Sequence, residues 1–564
     1  MKRLTSSILL SVLALGNLLA QEASDKEVVE KEVVEIVFDE TTASVTIPET
    51  VVGVTSTIEG ANVSITSTTT TKEYAYRVSG SSTDGSLTIT GKYKLTLQLN
   101  GLTLTNDHGG AAINVQCSKR ISVVMMDGTV NTLSDSSFGE QKGALFFKGH
   151  PEFEGGGTLN VTGRLKHAIC AKEYLELKSS TGIINILGAV SDGIHCGEGE
   201  KNSEHNYFLM KGGTVNIANV GTDGIDSDDY GTIIIRGGAV SVNVKDEGTA
   251  LKADSILTIS DGVVNLFAKG IMSEGIRASH TVNITGGKTS ILVVGNGSKG
   301  IKTNQKADKK GATVINGGFL TISGGVLDIQ AIGGNYIDEE KSDVTKCMGI
   351  SVDADLEQSA GDVCITAIGP EANGYHVKGT ETRSDGQFNV TLVPWLVMTY
   401  DYQYDMTAYV SVSLNDKQLP NYTKKAVGAF IGDECVGYAL FEDPDYGVMR
   451  IRSNDISAQT VTFRLYDYND KREYTLTPST PVTFQSPSVV GEPSDPLVLS
   501  FSLVKGDAND DGIVTAADIV EVVNALTGEP SEKYKALAAD VNSDDIVDIA
   551  DVTGIANIIT EQEE

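Results

Sequence analysis

Nine versions of one short phrase lie between Gly143 and Lys378. They are Gly143-Ala-Leu-Phe-Phe-Lys148, His167-Ala-Ile-Cys-Ala-Lys172, Asp192-Gly-Ile-His-Cys-Gly197, Asp223-Gly-Ile-Asp-Ser-Asp228, Thr249-Ala-Leu-Lys-Ala-Asp254, Glu274-Gly-Ile-Arg-Ala-Ser279, Lys299-Gly-Ile-Lys-Thr-Asn304, Met348-Gly-Ile-Ser-Val-Asp353 and Asn373-Gly-Tyr-His-Val-Lys378. Their central residues, from Leu145 to Tyr375, are separated by 24, 25, 31, 26, 25, 25, 49 and 25. A period near 25 with occasional insertions marks a repeat architecture rather than a set of independent domains. Between the phrases lie alternating runs bounded by Gly-Gly, such as Gly213-Thr-Val-Asn-Ile217 and Phe319-Leu-Thr-Ile322, which read as β-strand. The expected fold is a right-handed parallel β-helix. Each coil of it buries Ile, Val and Leu and passes its edge to the next coil about 4.8 Å away.

Outward from this core, Ile36 to Asp135 carries alternating strands such as Lys94-Leu-Thr-Leu-Gln-Leu99, expected to form irregular first coils that cap one end. The 49-residue gap between Ile301 and Ile350 reads as one coil with two surface loops, around Gln305 to Lys310 and Gly333 to Lys346, and a strand pair, Phe319 to Ile322 and Val326 to Ile329. Near Val390 the texture changes. Strands at sandwich-like spacing follow, rich in tyrosine, with the only tryptophan, Trp395, at the entrance. The division expected is a signal peptide over 1–20, a flexible lead-in over 21–35, the β-helix over 36–390, a β-sandwich over 391–503 and a small α-helical calcium module over 504–564. The fold class is thus mainly β.

The 564-residue chain has a formal net charge of -31, which excludes nucleic acid and anionic membrane as partners. Met1-Lys-Arg3, an apolar run from Ile8 to Leu19 and Ala20-Gln21 read as a cleaved secretory signal, the run being too short to span a bilayer. No other segment is long and apolar enough to cross a membrane, so a secreted protein is expected. The six cysteines show no CxxC spacing, and Cys170 and Cys196, one coil apart, are expected to stack as buried thiols.

The strongest motif is at the end. Asp507, Asn509, Asp511, Thr515 and Asp518 stand at positions 1, 3, 5, 9 and 12 of a loop, with Gly512 at position 6 and the carbonyl of Ile513 at position 7. That spacing wraps hard oxygens around one Ca²⁺. Asp540, Asn542, Asp544, the carbonyl of Ile546, Asp548 and Asp551 repeat the loop 33 residues on, and each loop runs into an apolar helix. The final Asp in place of Glu argues against an ordinary EF-hand. The pair resembles a type I dockerin over Gly506 to about Thr560, and the resemblance implies a cohesin on an extracellular scaffold as partner. Two departures stand out. Position 6 of the second loop is Asp545, which either weakens the site or adopts a left-handed conformation. The residues before the last ligand are Ala516-Ala517 and Ile549-Ala550, where the clostridial pattern prefers Ser and Thr.

The region from Ile36 to Asn389, with Leu97-Gln-Leu-Asn-Gly-Leu-Thr-Leu-Thr-Asn106, Asp127-Gly-Thr-Val-Asn131 and repeated Asp-Gly-Ile and Gly-Gly-Thr-Val-Asn-Ile phrases, resembles a family of extracellular carbohydrate-binding β-helix proteins. That family is similar in fold to family 9 polysaccharide lyases. The resemblance implies binding of Ca²⁺ and of cellulose-like or acidic plant polysaccharide. Ala429-Phe-Ile-Gly-Asp-Glu-Cys-Val-Gly437 and Met449-Arg-Ile-Arg452 resemble a module common in secreted proteins of the Bacteroidetes.

Within the repeat, Asp223, Asp226, Asp228, Asp229 and Asp254 form an acidic corner, and Asp192, Asp223 and Glu274 are expected in one file. Carboxylates this close repel one another unless a cation lies between them, so the corner reads as a second Ca²⁺ site or as solvated turn charge. Lyase chemistry would add a base, with Lys252, Lys302 or Arg277 as the cationic side chain; each also reads as plain solvated charge. Lys252, Arg277, Lys302 and Tyr230 are the candidate sugar contacts, with Tyr174, Tyr207, Phe208 and Phe267 as aromatic contacts or packing. No catalytic residue is assigned. Three functions remain: a non-catalytic polysaccharide binder on a dockerin, a Ca²⁺-dependent pectate lyase, or a spacer.

Overall fold

A computed structural model describes residues 32–562, apart from 198–204, 306–316, 401, 420, 421, 423 and 442. The expected signal peptide lies outside the described residues. The expected lead-in does so only through residue 31, because Val33–Asp39 is already a strand, paired with Thr42–Thr46 and Ala75–Ser82.

The recurring phrase is a sheet. Gly143–Phe147, His167–Ala171, Ile194–Cys196, Ile225–Ser227, Thr249–Ala253, Glu274–Ala278, Lys299–Thr303, Met348–Val352 and Asn373–Val377 pair in parallel, each with the strand of the next repeat. Their central residues from Leu145 to Ile350 are fully buried in one row. A second, larger sheet carries the alternating runs. Two runs that Gly-Gly seemed to separate are one strand: Phe319–Ile332 spans the expected pair, Thr232–Lys245 and Thr281–Val294 do the same, and Ile256–Lys269 does so with Asp261-Gly262 at the bend. The glycine pair bends the strand instead of ending it. At Gly287 φ is +72°, and a Cβ there would sit 2.7 Å from the carbonyl oxygen of Gly262 in the coil below, which only glycine tolerates. Side-chain amides lock the stacking as well: Asn216 donates to Asn185 and Asn185 to Asn160, both at 2.9 Å.

The stack is covered at its first end and along one flank of its later coils. At the first coil the strands turn antiparallel, Val33–Asp39 with Thr42–Thr46 and Val54–Glu59 with Asn62–Ser67. Towards the last coils Val294, Ile332, Ile368 and Val393 stand in register and pack on Val397, Phe430, Cys435 and Tyr438. Trp395 lies edge-on to Phe430 and donates its indole N–H to Glu473 at 2.7 Å. The 49-residue interval holds an antiparallel hairpin, Tyr336–Asp338 with Asp343–Thr345; Gln305 is described, but the rest of the other expected loop is not.

The tyrosine-rich region departs from the expected sandwich. Tyr404–Leu414, Gly447–Ser453, Glu434–Leu440, Lys425–Ile431, Thr460–Asp467, Arg472–Pro478 and Leu497–Phe501 pair in that order, and Leu497–Phe501 returns in parallel to Tyr404–Leu414. The ring is closed around Val410, Ala429, Ile451, Phe463 and Leu465. A closed ring removes the open edges that two facing sheets would leave. The last segment folds as helices Ala516–Thr527, Ala536–Ala539 and Ile549–Gln562 around Val522, Ala539, Val541 and Ile555. Among the described residues, no helix is long and apolar enough to cross a membrane.

Candidate functional site

Parallel stacking turns one position of the phrase into a column. Cys170, His195, Asp226, Lys252, Arg277, Lys302, Ser351 and His376 occupy one such column in unbroken register. Three residues earlier in the phrase, Gly143 pairs with His167, and Thr249 with Glu274 and then Lys299. Asp192 and Asp223 fall between them, two residues before the paired Ile194 and Ile225, so Asp192, Asp223 and Glu274 share a file. Side by side, the two columns gather ionisable groups that no single stretch of chain contains.

The acidic corner is therefore composed differently from the expectation. Close ligand atoms group as His167, Asp192 and His195; as His195, Asp226 and Asp228; and as Asp192, Asp223 and Asp226. Asp229 and Asp254 belong to none of these groups, because Asp229 sits in a left-handed turn (φ +50°) and Asp254 follows the strand end at Ala253. The two histidines escaped the sequence reading although both lie in the quoted phrases. Register arithmetic would have found them, since His167 falls over Asp192 and His195 over Asp226.

Each candidate cation is paired with a buried carboxylate. Lys252 Nζ stands 2.8 Å from Asp223 and 3.4 Å from Asp226. Burial opposes its charge, but Asp226 and Asp223 outweigh burial and hold the amine well above the ordinary lysine range. Lys302 Nζ is 2.7 Å and Arg277 3.6 Å from Glu274, itself buried. Lys299, not singled out in the sequence, is a buried amine. Burial, with Lys302 adding, lowers it to about 8, and it donates to the carbonyls of Gly297 and Lys346. Tyr230 is exposed in a left-handed turn, φ +65°.

Burial would raise the Asp192 carboxyl, but the imidazoles of His167 and His195 outweigh it and hold Asp192 well below the usual range. Burial pushes His167 down. It also opposes charge on His195, yet Asp192 and Asp226 raise that ring to about 9. Asp223 and Asp228 are pushed up, each chiefly by burial. Cys170 and Cys196 do not stack on one another, because the register pairs Cys170 with His195 and Ala171 with Cys196. Adjacent strand positions face opposite ways, so Cys196 enters the core while Cys170 packs on Ala111 and Phe146.

Tyr174 and Tyr207 stack face to face at 4.6 Å, with His150 stacked on Tyr174 at 4.6 Å. Both faces of Tyr174 are thereby covered, one by His150 and one by Tyr207. A groove of about 400 Å³ crosses the long strands elsewhere. Ser241, Asn265, Ser290 and Asp328 form one row of its floor, and Asn243, Phe267, Leu292 and Gln330 the next.

The two C-terminal loops share one hydrogen-bond plan. The carboxylate at position 1 accepts backbone N–H groups of positions 5 and 6, Asp507 from Asp511 and Gly512, and Asp540 from Asp544 and Asp545. The carboxylate at position 12 accepts from positions 3 and 9, Asp518 from Asn509 and Thr515, and Asp551 from Asn542 and Asp548. Position 5 accepts from position 7, Asp511 from Ile513 and Asp544 from Ile546. The loops are thus wound with oxygens turned inward, which suits a hard divalent cation. Thr515 also caps its helix, accepting the N–H of Ala517 at 3.2 Å. At position 6, Gly512 has φ +88° and Asp545 φ +65°, so the second loop keeps its turn by taking the left-handed conformation.

No curated protein matches this chain. Among solved structures, similarity is found to a polysaccharide lyase-like protein from C. thermocellum, a gadolinium derivative, at 16% identity over 63% of this chain and 99% of that one, with a TM-score of 0.26. A type II cohesin–X–dockerin complex from Acetivibrio cellulolyticus is similar at 19% identity over 28% of this chain and 94% of that one, with a TM-score of 0.16. Such scores carry no structural argument. The family models speak more directly: residues 59–292 match one described as carbohydrate-binding domain-containing protein, and residues 505–560 match the type I dockerin domain.

Proposed function

We propose that the chain is a secreted, non-catalytic binder of plant cell-wall polysaccharide, cellulose-like or acidic, which docks through its C-terminal module to a cohesin-bearing scaffold. The observation that carries this reading is the joining, in one chain, of a segment matching a carbohydrate-binding family to one matching a dockerin. The coils are read as a right-handed β-helix, the hand parallel crossovers take. The units are read as 36–390, 391–503 and 504–564, the middle one of the Bacteroidetes type. Ca²⁺ is held by Asp507, Asn509, Asp511, Ile513, Thr515 and Asp518 in the first loop. Asp540, Asn542, Asp544, Ile546, Asp548 and Asp551 hold it in the second. Polysaccharide lies in the groove over Asn265, Ser290 and Gln330, where side chains recur once per coil and offer hydrogen bonds to sugar hydroxyls.

The lyase reading is weaker because of Lys252. A base must be partly deprotonated to take a proton, and Asp223 and Asp226 hold this ammonium charged. Two assays test the proposal. Retention on insoluble cellulose or pectin is expected and should fall when Asn265 and Gln330 are both changed to Ala. Incubation with polygalacturonate and Ca²⁺ should yield no unsaturated product near 235 nm; such a product would replace the binder with an enzyme.

A further inference from the structure

The rows that floor the groove extend well beyond it. Thr132, Asn160, Asn185 and Asn216 precede Ser241 in unbroken register on the outward side of the sheet, and Asn265, Ser290 and Asp328 follow it. The outward row two residues earlier runs from Val130 through Thr158, Ile183, Thr214 and Ala239 to Val263. The first charges met are Lys288 in one row and Asp328 in the other. In a chain of net charge -31, this is a long strip of solvent-facing sheet without an ionised group.

Within the strip, the amides behave in two ways. Asn216, Asn185 and Asn160 are bonded to one another from coil to coil, and each spends part of its two donors and two acceptor lone pairs there. At Ser241 that ladder stops. Asn265 is exposed between Ser241 and Ser290, and among the described residues its amide makes no hydrogen bond within the protein. Gln330 accepts from Thr399 Oγ1 at 3.3 Å through its carbonyl, which leaves its NH₂ unspent. Phe267 and Leu292 stand half-buried in the adjoining row, with Tyr400 edge-on to Phe267 at 5.6 Å. Apolar side chains beside unspent amides and hydroxyls match the two surfaces of a pyranose, its C–H face and its hydroxyl rim. The coils stand about 4.8 Å apart, near the advance per residue of an extended β-1,4-linked hexose chain. Charge then selects among such chains. The lining contains one carboxylate, Asp328, and no cation. Lys269 lies over the Tyr400 ring at 5.5 Å, and Lys288 acts on Asp328. Sugar hydroxyls can donate to Asp328, whereas a uronate would bring like charge to it.

We propose that the groove over Asn265 and Phe267 takes an uncharged β-1,4-linked glucan lying along the stack, one hexose to a coil, and turns away uronate polymers. This inference rests on the binder reading and narrows it. Full-length protein is titrated by calorimetry with hydroxyethylcellulose and carboxymethylcellulose, which share a backbone and differ in charge, and with polygalacturonate. Hydroxyethylcellulose should bind equally at low and at molar salt, because no ion pair is involved, and the two acidic polymers about tenfold more weakly or worse. Asn265→Ala, and Asn265→Trp by bulk, should each weaken hydroxyethylcellulose about tenfold at unchanged melting temperature. Asp328→Lys should narrow the gap between the two celluloses, which rejection by bulk alone would not allow. Equal affinity for both celluloses, or preference for an acidic polymer, overturns the inference and leaves the binder reading standing. Hydroxyethylcellulose binding that both Asn265 variants retain overturns the site. Binding of none of the three polymers also overturns the inference, and retention on insoluble cellulose or pectin then judges the binder reading separately.

Discussion

Lys425 Nζ lies 3.0 Å from Asp545 Oδ1, with the lysine side chain 1% exposed. The pair joins the closed ring to position 6 of the second C-terminal loop. Asp470 strengthens the join by accepting the N–H of Ala536 at 3.0 Å, and Arg472 donates to the carbonyl of Glu532. Asp545 therefore has a use that a glycine lacks, which offsets the cost of its left-handed turn.

Asp545→Gly relieves a backbone conformation that disfavours a side chain by roughly 1–2 kcal/mol, but it strands a buried ammonium, an effect of roughly 3–5 kcal/mol. The second effect wins. The expected outcome is a dockerin segment that melts separately from the ring and is cut faster by protease near Val504, while Ca²⁺ uptake persists. A single unchanged melting transition would show the join to be weak.

Inward-facing carboxylates with nothing between them repel one another, so the loops should order on metal. Chelator added to the full-length protein should speed hydrogen exchange across Ala516–Thr527 and Ile549–Gln562, and Ca²⁺ should restore protection. Equal protection with and without metal would refute the assignment of these loops.

Lys252→Met removes the cation between Asp223 and Asp226. The lysine side chain is 28% exposed, so the loss should fall between that of an exposed and a buried pair, roughly 1–3 kcal/mol. Denaturant midpoints of the variant and of wild type measure it. A midpoint equal to that of wild type would mean the two carboxylates have another partner.

Asp135 is fully buried and accepts N–H groups of Arg164 and Leu165. Burial raises its carboxyl to about 6 in spite of those bonds. A carboxyl whose folded pKa exceeds its unfolded value holds its proton more tightly when folded. Its contribution to stability is present below pH 4 and is lost as pH rises through about 6. Asp135→Asn should lack that loss, so the stability difference, variant minus wild type, should climb between pH 4 and pH 6. A flat difference would place the Asp135 pKa at its ordinary value.

The coil spacing was legible because stacking repeats one chemical requirement, an apolar residue facing inward, at every turn of chain. The file of Asp192, Asp223 and Glu274 could be read for the same reason. What the sequence hid is lateral. Which carboxylate takes Lys252 or Lys302 depends on rotamers, and the spacing of the phrases is blind to them. The ring closure was hidden too, since alternation along Tyr404–Leu414 says which face is buried but not that Leu497–Phe501 will return to it. The histidines are a different case. Their positions were readable, but attention to negative charge passed over neutral nitrogen.

A stack of parallel coils is in principle a template without an end, since its last edge offers the next coil the same unpaired backbone groups as every edge before it. Here the first strands fold back antiparallel, and the row Val294, Ile332, Ile368 and Val393 is buried against Phe430 and Tyr438 near the other end. The turned-back strands close the first edge, and the row covers a flank of the later coils. A molecule built on the geometry of a fibre is thereby closed at its first edge, where a second copy would otherwise extend it.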